Sequence, residues 1–301
     1  MAKFAIVGDS TCDLTTDLRK DYEIEYARML VLLGNTADSK EIYADLDWKD
    51  ISAKEFYDAM RNGMRPKTAQ VTEQEFDLVF TPHLEKGEDV LYLACSSALS
   101  ASVKLAQRLA AEKYSVKYPN ARVIVIDTLC SCMGQGMMLI DASKMRKEGK
   151  TIDEVAAWIE ENKLCYNQAA TLETLDYLAK AGRVKAGKAF FGNLFGVKPM
   201  LISDAKGNNF ASEKQKGRRN GLLRLVSMTA ERIENASEQV VYLSHADAKA
   251  EDVELVRTKL LEEVGVKDVY VLSLGPIIGG VTGPGTVAVF CYGKKVDIVG
   301  E

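Results

Sequence analysis

The chain predicts an α/β fold in two domains: an open, doubly wound parallel sheet over residues 1–165, then a smaller mixed-sheet α/β domain over residues 166–301. Three observations carry this. Phe4–Gly8, Asp89–Ala94 and Arg122–Asp127 contain nearly unbroken apolar runs separated by helical stretches, the pattern of parallel strands covered on both faces. Each run stops at a polar cluster, namely Asp9-Ser10-Thr11, Ser96-Ser97 and Asp127-Thr128, and in a doubly wound sheet these ends share the rim where such sheets place ligands. After Tyr166 the pattern changes to hairpin signals mixed with crossovers, and 301 residues are too many for one ordinary core.

In order, Phe4–Gly8 is the first strand, Thr15 or Thr16 caps a short helix to Lys20, and Ile24–Leu33 is a second extended run. Residues 34–66 form an irregular excursion, broken by a helix over Ser52–Met60 whose Ser-Ala-Lys-Glu start is a capping box. Thr72 and Glu75 form another before a helix over Glu73–Leu84, which leaves Thr68–Gln70 in a loop. Strand Asp89–Ala94 runs into the serine loop and a helix to about Lys117. Strand Arg122–Asp127 precedes helices over Met133–Arg146 and Ile152–Glu161, the latter capped by Thr151 with Glu154.

In the second half, Leu172, Leu175 and Leu178 mark a helix that stops at Ala181-Gly182-Arg183. Val197–Ile202, a turn through Asp204–Asn208, and Phe210–Glu213 read as a hairpin. A basic helix from Arg218, strand Val240–Ser244, helix Glu251–Glu263 and strand Asp268–Leu274 follow. The Gly- and Pro-rich stretch Gly275–Gly285 leads into a last strand, Thr286–Tyr292.

Apolar residues at 47% and charged residues at 27% match a water-soluble globular chain. A net charge of −4 argues against nucleic acid, because phosphate binding needs a basic surface. Met1–Gly8 meets Asp9 too soon for a signal core, and no run approaches the length of a membrane span, so the expected location is cytoplasmic. The six cysteines then read as reduced thiols, and Cys130-Ser131-Cys132 lacks the spacing of a metal or redox pair. His83 and His245 are the only histidines, and neither sits in a motif that supports a catalytic triad or a zinc site.

The serine loop, Ser96-Ser97-Ala98-Leu99-Ser100, invites two readings. At a helix start its hydroxyls and free backbone N–H groups make an anion site, and the lack of Lys or Arg favours a monoanion or a polar neutral group over a polyphosphate. Alternatively the serines are only helix caps. Asp9 and Asp127 likewise read either as an acidic pair for a metal or as acceptors for loop amides, and the second is the ordinary case. Lys214, Lys216, Arg218, Arg219 and Arg224 form a basic segment that is either a solvated face or a contact for an acidic partner.

Taken together, Asp9-Ser-Thr-Cys-Asp-Leu14, Lys67-Thr-Ala-Gln70, Ser96-Ser-Ala-Leu-Ser100, Leu172–Leu178 running into Gly182-Arg183, Asn193–Pro199, and Gly275-Pro-Ile-Ile-Gly279 with Gly283-Pro-Gly285 resemble the DegV family of bacterial fatty-acid-binding proteins. Each piece alone is weak, but the ordered set spans nearly the whole chain. The resemblance implies a Rossmann-like parallel-sheet domain and a smaller α/β domain that enclose a long-chain fatty acid between them. It assigns the carboxylate to Thr68 and Ser97, with Ser96 as a neighbouring donor and Arg183 as a polar neighbour of the head group. It implies a non-enzymatic carrier with no catalytic residue, no metal and no cofactor beyond the bound acid. In some members the partner is a kinase that phosphorylates the carboxylate.

The sequence departs from that pattern at Ala69-Gln70-Val71, at Ala101-Ser102-Val103, at Ala181, and above all at Val281, where kinase-coupled members carry a histidine. Valine neither donates a proton nor binds an acyl phosphate, so the residues support lipid binding better than service to a fatty-acid kinase. The competing class is an α/β enzyme acting on a small carboxylate or phosphate, which needs an open cleft with a titratable group at its floor.

Overall fold

A computed structural model of the chain describes residues 4–34, 40–187, 190 and 196–300. Of the Asn193–Pro199 motif, residues 193–195 lie outside the described residues. The first half runs β1 (Phe4–Asp9), α1 (Thr16–Asp21), β2 (Ile24–Ala27), β3 (Leu30–Leu33), β4 (Lys40–Tyr43), α2 (Ala53–Arg61), β5 (Lys67–Ala69), α3 (Glu73–Leu84) and β6 (Asp89–Ala94). It continues with α4 (Ser102–Leu109), which passes through a π turn into α5 (Ser115–Lys117), then β7 (Val123–Asp127), α6 (Cys132–Lys147) and α7 (Ile152–Asn162).

Strands β1, β2, β6 and β7 form a parallel sheet in the order β2-β1-β6-β7. All six residues of β1 are buried, as the unbroken apolar run requires. The order reverses between β1 and β6, so the loops after these two strands lie side by side at the switch point. Ile24–Leu33 is not one strand. At its middle, Glu75 holds the Arg28 guanidinium at 2.7 and 2.9 Å, and the Met29 N–H donates to Ser10 Oγ at 2.7 Å. The bend sends Leu30–Leu33 into a separate antiparallel sheet, β4-β3-β5, within the excursion. Lys67–Ala69 is therefore a strand and not the expected loop, because β3 supplies its ladder.

The second half runs β8 (Tyr166–Thr171), α8 (Asp176–Ala181), β9 (Val197–Ser203), β10 (Asn209–Lys216), α9 (Arg218–Arg232), β11 (Val240–His245), α10 (Ala250–Lys259), β12 (Asp268–Ser273), α11 (Pro276–Thr282) and β13 (Val287–Tyr292). Its strands form a mixed sheet in the order β10-β9-β8-β13-β11-β12, with only β11 and β12 parallel. The Gly- and Pro-rich stretch Gly275–Gly285, to which the sequence assigns no element, contains the helix α11. Pro276 occupies its first turn, where a missing N–H costs nothing. A Cβ at Gly279 would stand 1.9 Å from Tyr57 Oη, so glycine is what lets α11 approach α2.

Helix α6 touches both β1 and β8, which places it between the two sheets. A Cβ at Gly136 would meet the Cys12 carbonyl at 2.8 Å, so glycine again permits the close approach. The two halves are also tied by Tyr57 Oη, which donates to the Leu274 carbonyl at 2.6 Å, and by the Gly275 N–H, which donates to Asp13 Oδ1 at 2.9 Å.

Candidate functional site

The loops at the switch point meet the second sheet around a cavity with a mainly apolar lining. From the first half it is lined by Thr11, Met29, Thr68, Cys95, Leu99, Ser100, Ser131 and Cys132. The second half contributes Gln168, Ala170 and Leu201, the α11 face Ile277, Ile278, Val281 and Thr282, and Ala288 and Phe290 of β13. The cavity opens beside a second groove where Arg65, Lys67, Lys180 and Arg183 gather around Thr68, Gly280 and Val281. Thr68, Arg183 and Val281 border both spaces. The mouth is therefore cationic and the interior apolar.

No Asp, Glu, His or Lys belongs to the described wall. Two thiols do, and burial pushes both well above the ordinary cysteine range. The Asp9 charge reinforces this at Cys95, as Asp13 does at Cys132. Neutral thiols behave as small apolar groups, so the interior offers no nucleophile or base.

Most polar groups at the site are already engaged. Thr282 Oγ1 donates to the Ile278 carbonyl at 2.8 Å, and Thr286 Oγ1 to the Gly283 carbonyl at 2.9 Å. Ser100 and Ser102 share a hydroxyl contact of 2.9 Å. Arg183 is tethered through Nε to the Leu99 carbonyl and through Nη1 to the Ala181 carbonyl at 3.0 Å. That leaves Nη2 of Arg183 and the hydroxyls of Thr68 and Ser131 as wall donors with no protein partner among the described residues.

Of the four residues singled out from the sequence, Thr68 and Arg183 line the cavity and Ser96 and Ser97 do not. Ser96 is fully buried, its hydroxyl donating to the Gly207 carbonyl at 2.8 Å across the two halves. Gly207 has φ +75°, and a Cβ there would fall 2.2 Å from Ser96 Oγ. Ser97 is exposed, and its N–H donates to Asp127 Oδ1 at 3.1 Å. α4 starts at Ser102 after Ala101, and of the serines Ser100 alone takes a helix amide, its hydroxyl accepting from the Ser102 N–H at 3.2 Å, while Ser96–Ser100 closes its own turn through the Leu99 and Ser100 N–H groups on the Ser96 carbonyl. Ser100 of the serine loop does reach the wall, and Ser131 joins it unannounced. Ser131 ends the loop after β7, so its signal was the rule that strand ends share one rim.

The acids at those ends hold loops. Asp9 accepts from the Thr11 N–H and hydroxyl at 3.0 and 2.5 Å, and from Tyr92 Oη and the Cys95 N–H at 2.9 and 3.0 Å. Asp127 Oδ1 accepts from the Ser97 and Leu129 N–H groups at 3.1 Å each. In the basic segment, Arg218 pairs with Asp252 and Arg224 with Glu213 and Glu231. Among the described residues no helix is long and apolar enough to cross a membrane.

Comparison with known proteins agrees over the full length of the chain. The family model described as uncharacterised protein, DegV family, matches residues 3–294. A DegV domain-containing protein of Clostridium perfringens is 37% identical over 299 residues, covering 99% of this chain and 100% of the relative. One from Streptococcus pyogenes is 30% identical over 292 residues, covering 97% and 99%. Among solved structures, the chain is similar to a fatty-acid-binding DegV family protein from Thermus thermophilus, with a TM-score of 0.82 at 27% identity over 97% of this chain and 100% of that one. It is equally similar to a DegV lipid-binding protein from Thermotoga maritima, with a TM-score of 0.82 at 26% identity over 98% and 100%. With motifs, sheet order and relatives aligned from end to end, this chain belongs to the DegV family.

Proposed function

We propose that the protein binds a long-chain fatty acid, its tail in the apolar cavity and its carboxylate at the cationic mouth. The observation that carries the reading is the division of the cavity. Its interior holds no ionisable carboxylate, amine or imidazole among the described residues, while Thr68 and Arg183 bring unused donors to the one border it shares with the basic groove. Relatives of the same fold that bind fatty acid or lipid support it.

Thr68 and Nη2 of Arg183 grip the carboxylate in this reading. Ser97, whose hydroxyl has no protein partner among the described residues, is the further hydroxyl assigned to the head group, and Ser96 anchors its loop to Gly207. Each charge-assisted bond is worth about 1.5–3 kcal/mol. A tail of about fifteen methylenes gains about 12 kcal/mol gross at ~0.8 kcal/mol for each, before ordering costs. The tail supplies the affinity, and the donors decide which end faces out.

The protein acts as a carrier and not as a catalyst. A wall of neutral thiols and hydroxyls, with no base beside them, does not support the alternative of an α/β enzyme on a small carboxylate or phosphate. Val281 at the mouth puts an apolar side chain where a kinase-coupled site needs an imidazole, so the reading is holding and transport of the acid without phosphorylation. Solvent extraction of the purified protein and mass spectrometry should yield a long-chain fatty acid in near-stoichiometric amount. A protein that yields none, and takes up none when offered it, would refute the proposal.

A further inference from the structure

Two cavities share Gln168 and Ala169 of β8. On the opposite face of the six-stranded sheet, under α9, lies a second space lined by Ile202, Met228, Val289 and Cys291, with the paired Arg224, Glu213 and Glu231 also on its wall. Gln168 and Ala169 border both spaces. They can do so because the sheet forks there: the β8–β9 ladder holds from Thr171 opposite Met200 to Ala169 opposite Ile202 and goes no further. At Gln168 a side chain fills the fork instead of the backbone. Its Nε2 donates to Ser203 Oγ at 2.6 Å. Its Oε1 is buried without a partner and lies 3.4 Å from where a Cβ on Gly134, in the first turn of α6, would stand. The amide thus reaches from the sheet to the helix.

The direction of the first cavity follows from the pairing of β8 with β13. Thr286 lies at the α11 end, nearest the mouth. Ala170 and Ala288 come next as a pair of small side chains, and then Gln168 and Phe290 stand opposite each other. From Thr286 to Phe290 is about 13 Å at ~3.3 Å per residue. A leucine in place of Gln168 would fill a similar volume without burying an unsatisfied oxygen, but no hydrogen bond would hold it in position.

We infer that Gln168, bolted to Ser203, is the stop that sets the length of acyl chain the cavity accepts. This rests on the fatty-acid reading above. Shortening the stop joins the tail cavity to the space under α9, and the methyl end of a longer acid then passes the fork.

The test is to delipidate the wild type and the Gln168→Ala, Gln168→Asn and Gln168→Leu variants, offer each an equimolar graded series of saturated acids, and weigh what is retained by mass spectrometry. Alanine removes four non-hydrogen atoms and the surroundings relax into part of the space, so the retained distribution moves about two carbons longer. Asparagine keeps the amide, is the gentler variant should alanine fail to fold, and moves it by about one carbon. Leucine keeps the bulk and leaves the distribution in place. Folded Ala or Asn variants with the wild-type distribution overturn the inference, as does a Leu variant that shifts as far as Ala. A wild type that retains no acid overturns the binding proposal itself, which is a different result.

Discussion

Asp13 gives the sharpest test of how the two halves are joined. It sits in the loop after β1 at φ 52° and is 3% exposed. Oδ1 accepts from the Gly275 N–H of the second half, and Oδ2 has no partner. Burial pushes its carboxyl from an ordinary 3.8 up to about 7, with the Asp9 charge adding to the rise and hydrogen bonds from Cys132 and Gly275 opposing it. A raised folded pKa means that the folded state holds its proton longer than the unfolded chain does. The stabilisation is therefore complete below about pH 4 and is lost as the pH climbs through about 7. At about 1.4 kcal/mol for each pH unit between those values, the loss is about 4 kcal/mol.

Asp13→Asn keeps an acceptor for Gly275 and cannot ionise. Its new N–H donors find no partner where Oδ2 now stands, at a cost of about 1–3 kcal/mol. The variant should accordingly be more stable than the wild type at pH 8 by about 1–3 kcal/mol and less stable at pH 4, where little of the wild type's loss has set in, so that their urea midpoints cross. Urea titrations at the two pH values measure this directly. Parallel pH profiles, or equal destabilisation at both, would show that Asp13 is ionised in the fold and that the reasoning is wrong.

Three further outcomes are expected. Thr68→Val removes a hydroxyl with little change in shape and should weaken fatty-acid binding about tenfold by displacement titration, with the melting temperature of the lipid-free protein unchanged. Ser96→Ala and Ser97→Ala should separate: the first loses the bond to Gly207 and about 1–2 kcal/mol of stability at unchanged affinity, whereas the second weakens head-group binding without abolishing occupancy and leaves stability intact. Stripping the bound acid should lower the melting temperature, because a ligand at a hundred times its Kd adds about 2.7 kcal/mol to the folded state.

Local chemistry was legible where it decides its own outcome. The Ser52–Glu55 and Thr151–Glu154 capping boxes close as their residues predict. Thr72 caps the Glu75 N–H, but the Glu75 carboxylate leaves the box for Arg28, a partner 47 residues away that no local rule names. The Gly- and Pro-rich Gly275–Gly285 gave no element by local pattern, glycine being a poor helix former, and the helix α11 found there packs with Tyr57 where a Gly279 side chain would otherwise be. The serine loop follows β6 as its pattern predicts, but of its hydroxyl residues only Ser100 lines the cavity. Whether Ser96 or Ser100 faces the cavity depends on a turn closed by the Ser96 carbonyl and on contact with Gly207, residues brought together only by the fold.

The sequence by itself determined the alternation of buried strands with helices, the polar ends that share a rim, and the ordered motifs that mark the family. These depend on side-chain period and on neighbours a few residues apart. The tertiary structure alone decided that the rim meets a cavity lined mainly by apolar side chains, that Thr68 and Arg183 keep unused donors there, and that Gln168 lies on its wall, held by Ser203. Those properties belong to the space between two sheets, and the residues that bound it lie up to 279 positions apart in the chain, from Thr11 to Phe290.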